Sequence, residues 1–243
     1  MTAPAPPVAG DLVLVGAGGF ARETAQAVLD LNACGASWRL LGYLDDDPAR
    51  HGLQVDGLPV LGGRDVLADL PQASVVVCTG RPANYVSRMR IVSELGLPGH
   101  RYATIIHPSA VVSASSSVGP GSVLLAHVTL TASVRVGAHV AVMPQVTLTH
   151  DDIVEDFATI ASAAALGGEA QVHRGAYLGA AAVIGEGRHI GEFALVGMGS
   201  VVTRDVPPRE VWAGVPARYL RAADLPDLPG LPGPGALTGR AGS

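Results

Sequence analysis

The stretch Val142-Met-Pro-Gln-Val-Thr-Leu148-Thr-His-Asp-Asp-Ile-Val154-Glu-Asp-Phe-Ala-Thr-Ile160 decides the fold, because a branched aliphatic residue recurs at every sixth position. In steps of six the pattern runs unbroken from Ile106 to Val202, and all 17 positions are Ile, Leu or Val. The position four residues further on is restricted to Ala, Ser or Val, except at Asp152 and Arg188. A period of six with one large and one small residue is typical of a parallel β-helix.

The spacing also predicts the geometry of this part of the chain. Three six-residue units complete one triangular coil of 18 residues, and successive coils stack about 4.8 Å apart through hydrogen bonds between strands. An antiparallel sandwich would instead show a period of two and turn signals roughly every 8–12 residues. Neither is present, so we predict a left-handed parallel β-helix of hexapeptide repeats over residues 105–221.

The residues before the repeat follow a different pattern. A short apolar strand at 11–15 leads into the turn Gly16-Ala-Gly-Gly-Phe-Ala21 and a helix at 22–32, and further strands follow at 40–44 and 74–78. Alternating strands and helices indicate a parallel α/β sheet. We expect a small Rossmann-like domain over residues 11–104. The segments 1–10 and 222–243, the latter rich in Pro and Gly, are predicted to be disordered.

Composition excludes several classes of function. The 243 residues carry a net charge of −5 and contain no lysine, which excludes a Schiff-base lysine, a phosphate-loop lysine and a lysine base. The acidic balance argues against nucleic-acid binding. Only 15% of residues are charged, against about 25% in typical soluble domains, so we expect subunit contacts to cover part of the surface. No apolar stretch is long enough for a membrane span, and we expect a cytoplasmic protein.

Metal binding is not expected from the spacing of the candidate ligands. Cys34 and Cys78 are far apart and form no CxxC pair. No two histidines of the repeat region are 18 residues apart, so none should share a column on neighbouring coils. We therefore predict no metal site.

The glycine turn is a candidate binding site for a phosphate group. Gly16 and Gly18 stand between a strand and a helix, where the backbone can approach an anion and the helix N-terminus favours it. A dinucleotide site would need an acid about 20 residues further on, but Asp45 follows Gly18 by 27. A mononucleotide-sized group is the better interpretation, and a tight turn with no ligand is the alternative.

His150 is the main candidate for catalysis. Asp152, which departs from the small-residue rule, lies two residues after it, and Asp151 can orient the imidazole and raise its basicity. Adding 18 to 150 places Gly168 next to His150 on the following coil, where its N–H could stabilise an oxyanion. The alternative is a solvated histidine at a coil corner.

Taken in order, these segments resemble the bacterial sugar acyltransferases that include bacillosamine, perosamine and sialic-acid acetyltransferases. The resemblance covers residues 11–221. It is carried by the glycine turn and by Leu41-Gly-Tyr-Leu-Asp-Asp-Asp-Pro48, Ile106-His-Pro-Ser-Ala110, His150-Asp151, Val154-Glu-Asp-Phe157, Val201-Val-Thr-Arg-Asp-Val-Pro-Pro208 and Ala213-Gly-Val-Pro-Ala-Arg218.

The resemblance implies a homotrimer with sites between adjacent β-helices, acetyl-CoA as donor, and an amine or hydroxyl of an often nucleotide-linked sugar as acceptor. It implies that His150 is the general base, that Asp151 tunes it, and that Gly168 contacts the oxyanion. The implied CoA contacts are Thr159, Gly179 and Ala180, and the implied contacts to the nucleotide-sugar are Gly18, Gly19, Phe20, Asp45, Asp46, Gly80 and Arg81.

The chain departs from the family pattern at Phe20, Arg81, Met143-Pro144 and Thr159, where the family usually has His, Asn, Asn-Thr and His. These departures concern the acceptor side and one CoA contact. We expect an N-acetyltransferase acting on an amino sugar. An O-acetyltransferase and a non-catalytic trimeric nucleotide-binding scaffold are the alternatives.

Overall fold

The computed structural model describes residues 10–225, which form an N-terminal α/β domain followed by a three-sided column of parallel strands. The predicted fold class is confirmed in both parts. Nearly all of the two segments predicted to be disordered lies outside the described residues. Among residues 10–225, no helix has both the length and the apolar character that a membrane span requires.

The N-terminal domain is built around a five-stranded sheet. Its elements are β1 (Gly10–Val15), α1 (Gly19–Ala33), β2 (Trp38–Leu44), β3 (Gln54–Val55), β4 (Leu58–Gly62), β5 (Ser74–Val77) and α2 (Ser87–Leu95), with short 3₁₀ helices at Pro48–Arg50, Arg64–Asp69 and Gly99–Arg101. The strand order is β3-β4-β2-β1-β5, and only the β3–β4 pair is antiparallel. Residues 12–15 of the central β1 are buried, as expected for a parallel strand covered on both sides.

The β3–β4 hairpin was not predicted from the sequence. Asp56 and Gly57 form its turn with φ values of 47° and 80°. Two residues with positive φ match a type I′ turn, for which Asp-Gly is a preferred pair. The Asp-Gly pair therefore indicated a hairpin turn, but the flanking strands are too short to show strand periodicity.

The column contains one two-residue strand for each aliphatic position of the repeat. These strands are β6 (Ile105–Ile106), β7 (Val111–Val112), β8 (Ser117–Val118), β9 (Val123–Leu124), β10 (Thr129–Leu130), β11 (Arg135–Val136), β12 (Ala141–Val142), β13 (Thr147–Leu148), β14 (Ile153–Val154), β15 (Thr159–Ile160), β16 (Ala165–Leu166), β17 (Gln171–Val172), β18 (Tyr177–Leu178), β19 (Val183–Ile184), β20 (His189–Ile190), β21 (Leu195–Val196) and β22 (Val201–Val202). A hairpin of β23 (Glu210–Gly214) and β24 (Ala217–Ala222) extends it at the C-terminal end.

Three parallel sheets form the sides of the column. Face A contains β7, β10, β13, β16, β19 and β22, and face B contains β8, β11, β14, β17 and β20. Face C contains β6, β9, β12, β15, β18 and β21 and continues into β23 and β24. Each strand pairs with the strand 18 residues further on, so a residue on the surface lies beside its counterpart on the next coil.

The aliphatic residues of the repeat fill the interior of the column. From Leu124 to Val202 these side chains are at most 4% exposed, whereas Ile106, Val112 and Val118 are only partly buried at the N-terminal end. Burying one such side chain contributes about 1.5–3 kcal/mol. Trp212 of β23 packs against the same cluster at the other end. The interior therefore supplies the main stabilising force of the column.

Asp152 is a carboxylate inside this apolar interior. It is fully buried. Its two oxygens accept hydrogen bonds from the N–H groups of Thr149, at 2.7 Å, and Ala170, at 2.9 Å. Burial raises the pKa of Asp152 to about 7, because the two N–H groups only partly replace the lost hydration.

A buried arginine joins the N-terminal domain to the column. Arg88 of α2 is 1% exposed. Burial lowers the pKa of Arg88 to about 10, which leaves it charged near neutral pH. Its guanidinium donates to oxygens of both domains: Thr79 O at 2.8 Å, His139 O at 2.6 Å, Phe157 O and Ala158 O at 3.0 Å each, and Thr159 Oγ1 at 2.8 Å. These partners are carbonyl and hydroxyl groups rather than carboxylates.

Aromatic groups complete the contact between the domains along face C. Tyr85 donates from its hydroxyl to the Phe193 carbonyl at 2.9 Å. The His139 ring stacks on Phe157 with centroids 5.1 Å apart and meets the edge of Tyr102 at 4.5 Å. Burial lowers the pKa of His139 to about 4, so the ring is neutral here. Within residues 10–225 the outward residues Val123, Ala141 and Thr159 of face C are buried, whereas those of faces A and B are exposed or partly exposed, so the N-terminal domain packs on face C.

We predict that Arg88→Met destabilises the chain by about 2–4 kcal/mol, because it leaves several buried oxygens without a donor. Denaturation followed by circular dichroism measures this loss. Arg90→Met is the matched control on the same helix, since Arg90 is half exposed and lies 3.8 Å from Glu94. Its effect should stay within about 0.5 kcal/mol. Equal effects of the two substitutions would contradict the bridging role of Arg88.

We also predict a pH-dependent stability that originates at Asp152. The carboxyl has a pKa of about 7 when folded and 3.8 ordinarily, so its stabilising contribution is complete below the lower value and is lost as the pH rises through the higher one. Between about pH 5 and pH 8 the free energy of unfolding should fall by about 2 kcal/mol through this group.

Urea denaturation at the two pH values tests this pH dependence. Asp152→Ser should remove most of it. Ser122→Ala should retain it, because Ser122 is equally buried but carries no titratable group. An unchanged pH dependence in Asp152→Ser would show that other groups cause it.

Candidate functional site

His150 and Asp151 form the turn at the corner where face A passes into face B. Asp151 has a φ of 61°, a conformation that Asp tolerates better than most residues. The side chains of His150 and Asp151 are 54% and 58% exposed. The corner therefore presents an imidazole and a carboxylate side by side on the surface of the column.

The two side chains form a hydrogen-bonded pair. His150 Nδ1 lies 3.0 Å from Asp151 Oδ2. Because a carboxylate accepts, Nδ1 carries the hydrogen and the outer nitrogen, Nε2, is left free to accept a proton. The hydrogen bond to Asp151 raises the pKa of His150, and the charges of Glu169 and Glu186 act in the same direction.

Gly168 lies against the imidazole ring, as the spacing of 18 predicted. A Cβ atom added to Gly168 would lie 2.3 Å from both Cε1 and Nε2 of His150. Any side chain at this position would displace the ring. The stacking of these two residues on neighbouring coils is therefore confirmed, and it requires glycine.

The Gly168 N–H is free to meet a ligand. Within residues 10–225, neither a backbone nor a side-chain oxygen accepts a hydrogen bond from it. At the corresponding turn position Ala138 donates its N–H to Asp156 Oδ1 on the following coil, at 2.7 Å. The equivalent N–H of Arg174 donates instead to Glu155 Oε2 on the preceding coil, at 2.9 Å. The N–H at this turn position is thus open to acceptors outside the backbone ladder, and the imidazole and the Gly168 amide lie on successive coils at one corner.

Thr159 does not lie at this corner. It is 5% exposed on face C, beneath the N-terminal domain, and its hydroxyl accepts a hydrogen bond from Arg88. In the single protomer the hydroxyl of Thr159 is thus engaged by the buried guanidinium of Arg88 and is turned away from solvent. The CoA contact expected at Thr159 stays a prediction.

Gly179 and Ala180 lie at a different corner, where face C passes into face A. A Cβ on Gly179 would lie 2.5 Å from the Met198 nitrogen, so glycine allows the close stacking of these coils. Ala180 is exposed. A single protomer does not bring these two residues to His150, and any shared site needs a second column.

The glycine turn of the N-terminal domain opens onto free space. A Cβ added at Gly18 or Gly19 would meet no atom within 4 Å, and the N-terminus of α1 has no capping side chain and no acid in its first turn. Phe20 packs partly against the apolar core. The backbone at Gly18 and Gly19 is thus accessible to a ligand.

Asp45 supports the glycine turn. Its carboxylate accepts from the Ala17 N–H at 3.0 Å and pairs with Arg50 Nη1 at 3.0 Å, and Arg50 Nη2 also donates to the Ala17 carbonyl at 2.8 Å. Asp46 pairs with Arg64 at 2.8 Å. Both acids expected to face a nucleotide-sugar are therefore engaged with arginines, and Asp45 acts on the shape of the turn.

Gly80 and Arg81 follow the neighbouring strand β5. Gly80 has a φ of +129°, and a Cβ there would lie 3.2 Å from Arg88 Nη1, so the residue must be small and flexible. Arg81 is exposed and, with Arg90 and Asn84, lines a cavity of about 420 Å³. Gly80 and Arg81 thus follow the carboxyl end of β5, which pairs with the strand β1 that leads into the glycine turn.

One histidine contact was missed from the sequence. His173 Nε2 lies 3.4 Å from His189 Nδ1 on face B, and His173 Nδ1 lies 2.9 Å from Glu155 Oε1. The two histidines are 16 residues apart, so they meet diagonally across neighbouring coils. A search for histidines exactly 18 residues apart does not detect such a pair. Across the part of the chain that the structure describes, no group of three potential ligands could hold a metal ion.

Comparison with known proteins agrees with this architecture. Residues 11–95 match the family model of the PglD N-terminal domain. A search of curated proteins finds no significant match.

Solved structures are similar over most of the chain. The acetyltransferase domain of PglB from Neisseria gonorrhoeae, in complex with acetyl coenzyme A, is 26% identical with a TM-score of 0.77, covering 88% of this chain and 100% of that one. A histidine-to-alanine mutant of GDP-perosamine N-acetyl transferase from Caulobacter crescentus, in complex with CoA and GDP-perosamine, is 28% identical with a TM-score of 0.75, covering 87% and 97%. WeeI from Acinetobacter baumannii is 25% identical with a TM-score of 0.61, covering 86% and 99%.

The structural neighbours thus include sugar acetyltransferases crystallised with CoA and a nucleotide-linked sugar. Residues 11–95 are of the PglD N-terminal type, and the chain as a whole resembles the bacterial sugar acyltransferases, as its motifs predicted.

Proposed function

We propose that this protein is an acetyl-CoA-dependent N-acetyltransferase that acts on an amine of a nucleotide-linked amino sugar. The observation that carries the proposal is the corner at His150, where a basic imidazole and a free N–H lie at successive levels. The similarity to PglB, crystallised with acetyl coenzyme A, and to GDP-perosamine N-acetyl transferase supports the choice of donor and acceptor.

His150 is the proposed general base. Asp151 holds Nδ1, so Nε2 removes a proton from the sugar amine as the nitrogen attacks the thioester carbonyl. The carbonyl oxygen becomes negative and accepts a hydrogen bond from the Gly168 N–H. Collapse of the tetrahedral intermediate breaks the C–S bond, and the departing CoA thiolate takes the proton from His150. The reaction needs no covalent enzyme intermediate.

The N-terminal domain is the proposed site for the nucleotide. The open backbone at Gly18 and Gly19 and the N-terminus of α1 suit a phosphate group. Phe20, Gly80 and Arg81 border the same edge of the sheet, and Arg81 can pair with a phosphate. In this proposal Asp45 and Asp46 act indirectly, by holding the turn and its flank through Arg50 and Arg64.

The proposed active unit is a homotrimer. Gly179 and Ala180 lie at another corner than His150, so the CoA channel expected along them requires a neighbouring column. In the part of the chain that the structure describes, the outward residues of faces A and B are exposed or partly exposed. Val111 and Val183 on face A are 61% and 44% exposed, as expected for a surface that packs against another copy. Sedimentation analysis of the protein tests this assembly.

The activity is tested with acetyl-CoA and a panel of nucleotide-linked amino sugars that differ in the nucleobase. Release of free CoA thiol measures turnover, and mass spectrometry identifies the product. An acetyl group that survives mild alkali is on nitrogen, whereas an ester is cleaved and would indicate the O-acetyltransferase. No turnover and no CoA binding by calorimetry would refute the enzyme.

We predict that His150→Asn lowers kcat by about 100-fold or more, because the amide cannot take the proton. His127→Asn is the matched control, since His127 is an exposed histidine at a corner turn on another edge of the column. It should retain wild-type kcat. Thermal denaturation should show that both variants are folded. Turnover of His150→Asn within about tenfold of wild type would exclude the general-base role.

We further predict that Asp151→Asn moves the acidic limb of the pH–rate profile to lower pH. The carboxylate raises the pKa of His150, so its removal lets the imidazole lose its proton at a lower pH. The rate at the plateau should also fall, because a less basic imidazole is a weaker proton acceptor. The profile of kcat/KM against pH measures both effects. A limb that stays in place or moves to higher pH would contradict the pairing of His150 with Asp151 in solution.

A further inference from the structure

The hydrogen-bonded ladder of the column is interrupted at Thr149, immediately before His150. At every other residue that directly follows a strand, from His107 to Gly197, the N–H donates to a carbonyl of the following coil. Thr149 instead donates its N–H to Asp152 Oδ2 at 2.7 Å. The strand pairing reflects this, because β13 and β16 are paired only at Thr147 and Ala165. Other neighbouring strands of the column pair at two positions.

The Thr149 side chain compensates for the missing backbone bond. Its hydroxyl donates to the Leu166 carbonyl at 2.8 Å, which is the acceptor that the regular ladder would assign to the Thr149 N–H. The interruption therefore leaves no unpaired group behind. It is made by two side chains together, the carboxylate of Asp152 and the hydroxyl of Thr149.

Asp152 accepts two hydrogen bonds, whereas the regular column needs only one acceptor at this interior position. Its Oδ1 accepts from the N–H of Ala170 on the following coil. At corresponding interior positions Ser116 and Ser122 do the same for Val134 and Val140 with a single hydroxyl. A serine would thus suffice for the bond between coils. The second oxygen of Asp152, which holds the Thr149 N–H, explains the presence of a carboxylate.

The interruption coincides with a change in direction of the side chain that follows. At the next corner the first turn residue, Asp156, reaches back to the preceding coil and accepts from Ala138. His150 occupies the equivalent turn position at its own corner, but its ring lies forward over Gly168 on the following coil. The altered backbone at Thr149 is the structural difference directly before it.

We infer that Asp152 and Thr149 are positioning residues for His150. Together they remove the Thr149 N–H from the regular hydrogen-bonded ladder, and this change places the imidazole over Gly168. This inference rests on the proposed role of His150, because the pair is argued to act through the position of the imidazole. A misplacement of about 1 Å at a catalytic group can cost 100-fold in rate.

The test compares Asp152→Ser and Thr149→Val with two matched controls. Asp152→Ser keeps an acceptor for Ala170 but loses the bond to Thr149. Ser122→Ala removes an interior acceptor in another coil. Thr131→Val changes the threonine one coil before Thr149, where the regular ladder is intact.

We expect Asp152→Ser and Thr149→Val to lower kcat by about 10–100-fold, with the KM for acetyl-CoA within about twofold of wild type. Both controls should keep wild-type kcat, although Ser122→Ala should lower the melting temperature. Thr149→Ser, which retains the hydroxyl, should restore most of the rate. A kcat for Asp152→Ser and Thr149→Val equal to that of the controls would overturn the inference.

A crystal structure of Asp152→Ser separates this inference from the proposed function. The Thr149 N–H should return to the Leu166 carbonyl and the imidazole should leave Gly168, whatever reaction the protein performs. An imidazole that remains over Gly168 in the variant would refute the positioning role even if the acetyltransferase activity is established. Absence of activity in the wild type, together with the expected movement, would refute only the proposed function.

Discussion

Hydrogen bonds between each coil and the next hold the column together, and they place every surface residue beside the residue 18 positions further on. The strands are only two residues long, so no strand has stability of its own, and the ladder is stable because the aliphatic interior keeps the coils in contact. This register determines two contacts. One is the contact of His150 with Gly168, and the other is the packing of the N-terminal domain on face C. A site built on such a column is therefore as rigid as the stacking itself.

Two buried ionisable side chains stand out against their apolar surroundings, and both are hydrogen-bonded mainly to neutral backbone groups. Arg88 donates mainly to carbonyl oxygens, and Asp152 accepts only from N–H groups. Within residues 10–225 neither forms an ion pair, and each makes several hydrogen bonds at a fixed point. Arg88 fixes how the N-terminal domain meets the column, and Asp152 fixes the corner that carries His150. Both side chains orient the neighbouring segments through their hydrogen bonds.

The sequence alone was sufficient for features that depend on spacing. The period of six predicts the column, its 18-residue coil and the stacking of Gly168 on His150. It does not predict Arg88, because a single arginine on a helix has no periodic signal and its acceptors come from distant segments. The placement of Thr159 follows from Arg88 and was missed for the same reason. The contact of His173 with His189 was missed because residues 16 apart meet diagonally across coils.

The unbroken repeat also restricts how this chain can change in length. Inserting or deleting six residues between His150 and Gly168 would advance the glycine by one side of the triangle and move it to another edge of the column. A change of one or two residues would turn aliphatic side chains outward. Only a complete extra coil of 18 residues would return the glycine to the same edge, and it would still separate the two residues by one more layer. Length variation is therefore compatible with the proposed chemistry only outside this segment.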